Sequence, residues 1–154
     1  VFISWLERVE GNELHGALMG GLITLIIQSS SGTVGMAIVL GKQNLLSIAG
    51  GISIMLGAEL GTCSDTLLAT INGSRQAIKA GLFHLLFNLT TIIVGLLLFE
   101  PFSRLIVELS AGQDIGQTIA NAHMLFNILG VVVFLPFVGP FIRWMGWLIP
   151  EKRV

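Results

Sequence analysis

A run of four polar residues interrupts an apolar stretch near the start of the chain: Gln28, Ser29, Ser30 and Ser31. Apolar arms flank this run at residues 14–27 and 34–40, and Thr33 lies between the run and the second arm. Each arm has about half the length that crosses the hydrocarbon of a bilayer, so the pattern predicts a re-entrant hairpin or a broken helix. The amide and hydroxyl groups then lie beside a helix N-terminus, where free N–H groups and the helix dipole favour an anion.

A second polar interruption lies at residues 57–62, within the apolar stretch 45–71. This interruption and the residues just after it supply oxygen-bearing side chains: Glu59, Thr62, Ser64 and Asp65. The pattern predicts a second broken helix, in which these groups precede a short apolar arm at 67–71. Secondary transporters form binding sites near the bilayer midplane from such discontinuous helices. The alternative is that each hydroxyl bonds only to its own helix backbone or to a neighbouring helix, as single Ser and Thr residues in membrane helices usually do.

Two carboxylates are isolated in this region, because Glu59 and Asp65 are the only acidic residues between positions 14 and 99. A carboxylate at membrane depth is costly and by default marks an ion pathway. Asp65 could instead cap the N-terminus of the following arm. Glu59 lies in a Gly-x-Glu-x-Gly segment, and no Lys or Arg occurs between positions 43 and 74. We therefore expect a cation or a proton to neutralise Glu59.

Two histidines occur in a duplicated segment, because His84 and Asn88 recur as His123 and Asn127 after 39 residues. In a helix, each histidine lies on the same face as the asparagine four residues later, which favours a polar seam between helices. An enzyme would need one of these histidines beside a serine nucleophile. No spacing supports that pair, and a glycine-rich nucleophile elbow is absent from the sequence. We predict that the protein is not an enzyme.

The composition is typical of an integral membrane protein. Hydrophobic residues make up 53% of the 154 residues and charged residues only 11%, against about 25% charged in ordinary soluble domains. The net charge of −1 excludes a basic nucleic-acid-binding surface, and the single cysteine excludes a disulfide framework or a multi-cysteine metal site. We expect an all-α fold with no bound cofactor and with the lipid bilayer as a partner.

Three segments follow one another along the chain: an interfacial helix at 1–13, broken helices at 14–79 and two transmembrane helices at 80–154. The two transmembrane helices are expected at 80–99 and 122–142, with a connection at 100–121 between them. Basic residues occur at 73–79 and at the C-terminus, whereas the connection holds a single Arg. The positive-inside rule therefore predicts a cytoplasmic C-terminus and an extracytoplasmic connection.

The polar motifs resemble those of a known family. Residues 28–31 spell QSSS and residues 57–62 spell GAELGT, a pair that resembles the sodium-dependent phosphate transporters of the type II Na/Pi cotransporter family in its bacterial form. Residues 84–88 and 123–127 are similar to the H-x-x-F-N segments that recur in this family. The resemblance covers about residues 14–142, and it departs from the family pattern at Glu59, where the family has Asn.

The resemblance implies a transporter built from two inverted repeats, each with its own QSSS, with phosphate and sodium held where the repeats meet. From the residue types and the resemblance together, we expect substrate and ion contacts at Gln28, Ser29, Ser30, Ser31, Thr33, Glu59, Thr62, Ser64 and Asp65. Sodium, the implied coupling ion, would have its ligands among Gln28, Ser30, Glu59 and Thr62.

The chain holds a single QSSS, so the resemblance implies the second repeat and the helices that follow it. Its partner is then the missing first repeat or a second copy of the chain, which would form a homodimer. The implied function is sodium-coupled transport of inorganic phosphate by alternating access, in a multi-pass protein of a bacterial plasma membrane. The alternative, from a different class, is a non-transporting membrane subunit that senses phosphate or acts as a scaffold.

Overall fold

The computed structural model describes residue 9, residues 11–71 and residues 73–150, except for the side chains of Asp65 and Ala69. These residues form the following elements: α1 Glu13–Ile27, α2 Ser30–Lys42, α3 Ile48–Thr70, α4 Arg75–Leu97, α5 Phe99–Leu109, α6 Ile115–Phe134, a 3-10 turn Leu135–Phe137 and α7 Val138–Leu148. No β-strand occurs in these ranges, which confirms the predicted all-α class. The predicted interfacial helix at 1–13 lies almost wholly outside the described residues.

The expected interruption at the QSSS run is present as a break between α1 and α2. α1 ends at Ile27, Gln28 adopts the left-handed conformation with φ 57° and ψ 37°, and Ser29 is extended. A hydrogen bond of 2.7 Å joins the side chains of Thr24 and Thr33 across the break. The two arms therefore fold back as a hairpin, with the QSSS run at its tip.

The second predicted break is wrong, because α3 continues without interruption through residues 57–62. The glycines of this segment serve helix packing instead. A β-carbon at Gly57 would overlap the carbonyl group of Ala17, and one at Gly61 would overlap the side chain of Thr24. Glycine at these positions lets α1 approach α3 closely, and tertiary packing outweighs the weak helix propensity of glycine. The expected half-helix at 67–71 is thus the C-terminal part of α3 and its cap.

α3 is the central helix of the structure. It packs against α1, α2, α4 and α6, and its side chains Ile52, Met55 and Leu56 are fully buried. A buried cluster also joins α3 to Val34 of α2 and to Ala122 of α6. The polar groups that α3 carries therefore lie on a helix that four other helices pack against.

Two helices within the described ranges are long and apolar enough to cross a membrane, Arg75–Leu97 and Ile115–Leu148. They correspond to the two expected spans, although each begins earlier in the chain than the sequence pattern predicted. The second contains the 3-10 turn around Pro136, because proline cannot donate to the helical ladder. Large apolar side chains such as Leu97 remain exposed on these helices, as expected for a surface that lipid covers.

Candidate functional site

The tip of the hairpin presents a helix N-terminus and hydroxyl groups together. Ser29 caps α2, because its Oγ accepts a hydrogen bond of 3.1 Å from the N–H of Gly32. The N–H groups of Ser30 and Ser31 lie in the first turn of α2, where an α-helix offers them no backbone acceptor. Free N–H groups, serine hydroxyls and the positive end of the helix dipole make this tip suitable for an anion.

The predicted tip residues differ in accessibility. Gln28 and Ser31 are exposed, whereas Ser29 and Ser30 are half-buried. Thr33 is buried, its hydroxyl donates to the carbonyl of Ser29 at 3.2 Å, and it accepts from the hydroxyl of Thr24. Thr33 thus links α1 to the cap residue of α2 through its two hydrogen bonds.

The predicted hydroxyls on α3 bond to their own helix. The Thr62 hydroxyl donates to the carbonyl of Ala58 at 3.2 Å, and the Ser64 hydroxyl donates to the carbonyl of Gly61 at 2.6 Å. These residues lie inside α3 and not at a half-helix N-terminus, as the sequence pattern had predicted. The alternative of hydroxyls bonded to their own backbone is correct for this pair. Their oxygens retain lone pairs that can accept a hydrogen bond or coordinate a cation.

Asp65 also lies inside α3, which begins at Ile48. The hypothesis that Asp65 caps a helix N-terminus is therefore wrong. The physical reason is the same continuity of α3 through the glycine segment, because the next helix along the chain begins only at Arg75.

Glu59 lies on α3 and finds its partners on α6. Its Oε1 is 2.9 Å from Nε2 of His123 and 3.3 Å from Nδ2 of Asn127. The Asn127 amide donates to this oxygen, and an ionised carboxylate can only accept, so Nε2 of His123 donates to it in the tautomer that carries its hydrogen there. The side chain of Glu59 is only 13% exposed. These partners are more than 60 positions away in the sequence, so local charge patterning could not identify them.

The first copy of the duplicated segment contacts the same stretch of α3. Nδ2 of Asn88 donates to the backbone carbonyl of Glu59 at 3.0 Å and lies 3.3 Å from Nε2 of His84. Nδ1 of His84 is 2.8 Å from the hydroxyl oxygen of Thr66. The predicted polar seam between helices is thus confirmed, with α3 at its centre. The sequence analysis did not identify either copy as a contact of Glu59, although the 39-residue duplication was a signal for both.

The residues next to the tip and next to Glu59 in the chain share one buried cluster. Val34, Ala58 and Ala122 belong to one buried cluster. Ser30 precedes Val34 by about one helical turn, and Glu59 is adjacent to Ala58 in the chain. The first turn of α2 and the part of α3 that carries Glu59 therefore both adjoin this buried cluster.

The described residues contain no group of three or more His, Cys, Asp or Glu side chains that could hold a metal ion. The groups that could coordinate a cation are oxygen atoms of the tip, of Glu59 and of the α3 hydroxyls. Oxygen atoms suit hard cations better than soft transition metals.

Comparison with known proteins places these motifs in a family. The profile of the family described as "Na+/Pi-cotransporter" matches residues 2–132. YqeW of Bacillus subtilis (strain 168) is 29% identical over 147 residues, which cover 96% of this chain and 47% of YqeW. YjbB of Escherichia coli (strain K12), named as a candidate inorganic phosphate export protein, is 29% identical over 92% of this chain and 26% of its own length.

A mammalian relative is also similar. Sodium-dependent phosphate transport protein 2B of Bos taurus is 29% identical over 137 residues, which cover 84% of this chain and 19% of that protein. The chain therefore spans half or less of the length of these relatives. No solved structure matches the chain at a significant level.

Proposed function

The chain belongs to the Na+/Pi-cotransporter family, and we propose that it forms one repeat of a sodium-coupled transporter of inorganic phosphate. It is a membrane protein of a transporter family and not an enzyme. The single observation that carries the proposal is the helix break at the QSSS run, which exposes the N-terminus of α2 and the C-terminus of α1 at one point. In transporters, half-helix N-termini bind anionic groups, and unwound carbonyls with helix C-termini coordinate sodium.

Phosphate is proposed to bind at the α2 side of this tip. The N–H groups of Ser30 and Ser31 and the hydroxyls of the run can donate to phosphate oxygens. Gln28 adds an amide that can donate to phosphate or offer its oxygen to sodium. The left-handed conformation of Gln28 creates the turn that brings both helix ends together.

Sodium is proposed to bind between the tip and α3, with Gln28, Ser30, Glu59 and Thr62 among its ligands. The hydroxyl hydrogen of Thr62 is already donated to Ala58, so Thr62 would offer its oxygen to a cation more readily than a hydrogen to phosphate. The same argument applies to the Ser64 hydroxyl, which donates to Gly61. Asp65 remains a proposed contributor on the next turn of α3.

A second repeat is proposed to complete the site, because polar groups at membrane depth must face protein or a water-filled cavity. The chain spans 47% of the length of YqeW, which leaves room in such a relative for a second unit of similar size. This unit is either a first repeat of inverted topology or a second copy of the chain. Transport would proceed by rocking of one repeat against the other around the tips, which is alternating access.

The transporter is proposed to be a multi-pass protein of a bacterial plasma membrane. The connection containing α5 would be extracytoplasmic and the C-terminus cytoplasmic, from the distribution of basic residues.

The test is uptake of radiolabelled phosphate by proteoliposomes that contain the full-length protein, with an inward sodium gradient and with a matched potassium gradient. A sodium-coupled transporter accumulates phosphate only in sodium. A sensing or scaffolding subunit shows no uptake in either gradient, and that result would contradict the proposal.

A further inference from the structure

The two copies of the duplicated segment contact Glu59 in different ways, and this difference indicates a different role for each copy. We propose that His123 and Asn127 position the Glu59 carboxylate for the coupling cation, whereas His84 and Asn88 only fix the backbone of α3. The proposal rests on the sodium-coupled function proposed above and names two positioning residues of its cation site.

The copy in α6, which consists of His123 and Asn127, contacts the carboxylate of Glu59. Both of its donors converge on Oε1 of Glu59, at 2.9 Å from His123 and 3.3 Å from Asn127. Asn127 is also held in place, since its Nδ2 donates to the carbonyl of His123 at 3.0 Å. No described side chain donates to Oε2 of Glu59, so the second oxygen retains its lone pairs for another ligand.

The α4 copy acts on uncharged groups. Asn88 donates to the backbone carbonyl of Glu59, and the ring of His84 pairs with the Thr66 hydroxyl and with Asn88. These contacts join α4 to α3 and do not touch the carboxylate. The same residue pattern therefore has a different partner in each copy, and the α4 copy provides a matched control.

Hydrogen bonds from neutral donors fix a carboxylate without cancelling its charge. The amide of Asn127 carries no charge, and neither does an imidazole in its neutral form, so donors of this kind leave a carboxylate negative and able to attract a cation. Fixing its rotamer in advance removes the cost of ordering it when the cation arrives. Loss of either donor should therefore weaken cation binding without removing the ligand.

The test compares His123→Ala, His123→Gln, Asn127→Ala and Asn88→Ala in the full-length protein, reconstituted in proteoliposomes. For each variant, the sodium concentration for half-maximal phosphate uptake and the maximal rate at saturating sodium are measured. We expect Asn127→Ala and His123→Ala to raise the sodium requirement roughly ten-fold, with a maximal rate close to that of the wild type. His123→Gln should recover most of the affinity, because its amide can still donate.

Asn88→Ala should lower the thermal stability in detergent and leave the sodium requirement unchanged. Asn127 is exposed, so its truncation does not threaten folding, and it keeps the test valid if His123→Ala fails to fold. An unchanged sodium requirement in Asn127→Ala would overturn the assignment, as would an equal rise in Asn88→Ala. Wild-type uptake that is indifferent to sodium would overturn the proposed coupling itself, which is a separate result.

Discussion

The hydroxyl of Thr24 in α1 donates a hydrogen bond of 2.7 Å to the hydroxyl of Thr33 in α2, and both residues are 1% exposed. Thr33 in turn donates a hydrogen bond from its own hydroxyl to the carbonyl of Ser29, the cap of α2. A short chain of hydrogen bonds therefore links the body of α1 to the first turn of α2. These hydrogen bonds fix the position of the proposed phosphate-binding groups relative to the rest of the hairpin.

We expect Thr24→Val to reduce the free energy of unfolding by about 1 kcal/mol, because valine keeps the shape of threonine and loses one buried hydrogen bond. Thr24→Ser should keep the stability and the apparent phosphate affinity of the wild type, since the hydroxyl is retained. The measurements are thermal unfolding in detergent and phosphate uptake by the full-length protein. The control is Thr90→Val, because the exposed Thr90 bonds only to the carbonyl of Leu86 in its own helix. Equal effects of Thr24→Val and Thr90→Val would contradict the account of the hairpin.

The close contact between α1 and α3 predicts that Gly57→Ala is destabilising. Its β-carbon would overlap the carbonyl group of Ala17, and overpacking of this kind costs about 1–3 kcal/mol. Gly35→Ala is the matched control, because a β-carbon at Gly35 has no neighbour within 4 Å. That change should leave stability unchanged or raise it by about 0.5–1 kcal/mol, since alanine favours helix over glycine. A stable Gly57→Ala variant would mean that the two helices can separate without cost.

The predicted topology can be tested by labelling the connection between the two spans. A cysteine at Gln113, in a Cys63→Ser background, should react with an impermeant maleimide on intact cells. Gln113 is exposed, whereas the nearby Ser110 is buried and accepts from Nδ2 of Asn121 at 2.9 Å, so Ser110 is unsuitable. Reaction only after lysis would show that the connection is cytoplasmic.

The proposed second repeat predicts a difference between this chain alone and a protein that contains both repeats. Residues 1–154 expressed alone should be a dimer in mild detergent or should fail to transport after reconstitution, because a single polar tip has no facing surface. The measurements are the oligomeric state by light scattering and phosphate uptake. A monomer that transports phosphate would contradict this prediction.

The sequence predicted the all-helical class and the break at the QSSS run, because a polar run between short apolar arms has few alternatives in a membrane. It failed at residues 57–62, where the same glycine-rich pattern permits close helix packing instead of a break. Only tertiary contacts distinguish these two uses of glycine. The sequence could not identify the partners of Glu59 either, because His123 approaches Glu59 only when α6 packs against α3.

The central claim is that the QSSS tip binds the transported phosphate, and the most direct measurement is the apparent phosphate affinity of Ser30→Ala and Gln28→Ala. Uptake by the reconstituted full-length protein is measured against phosphate concentration at saturating sodium, after size-exclusion chromatography shows that each variant is folded. Loss of one donor from a desolvated site costs about 1–3 kcal/mol, so we predict a roughly 5- to 150-fold weaker affinity or no detectable uptake in each variant. Wild-type affinity in both folded variants would contradict the claim and leave the tip as a structural turn only.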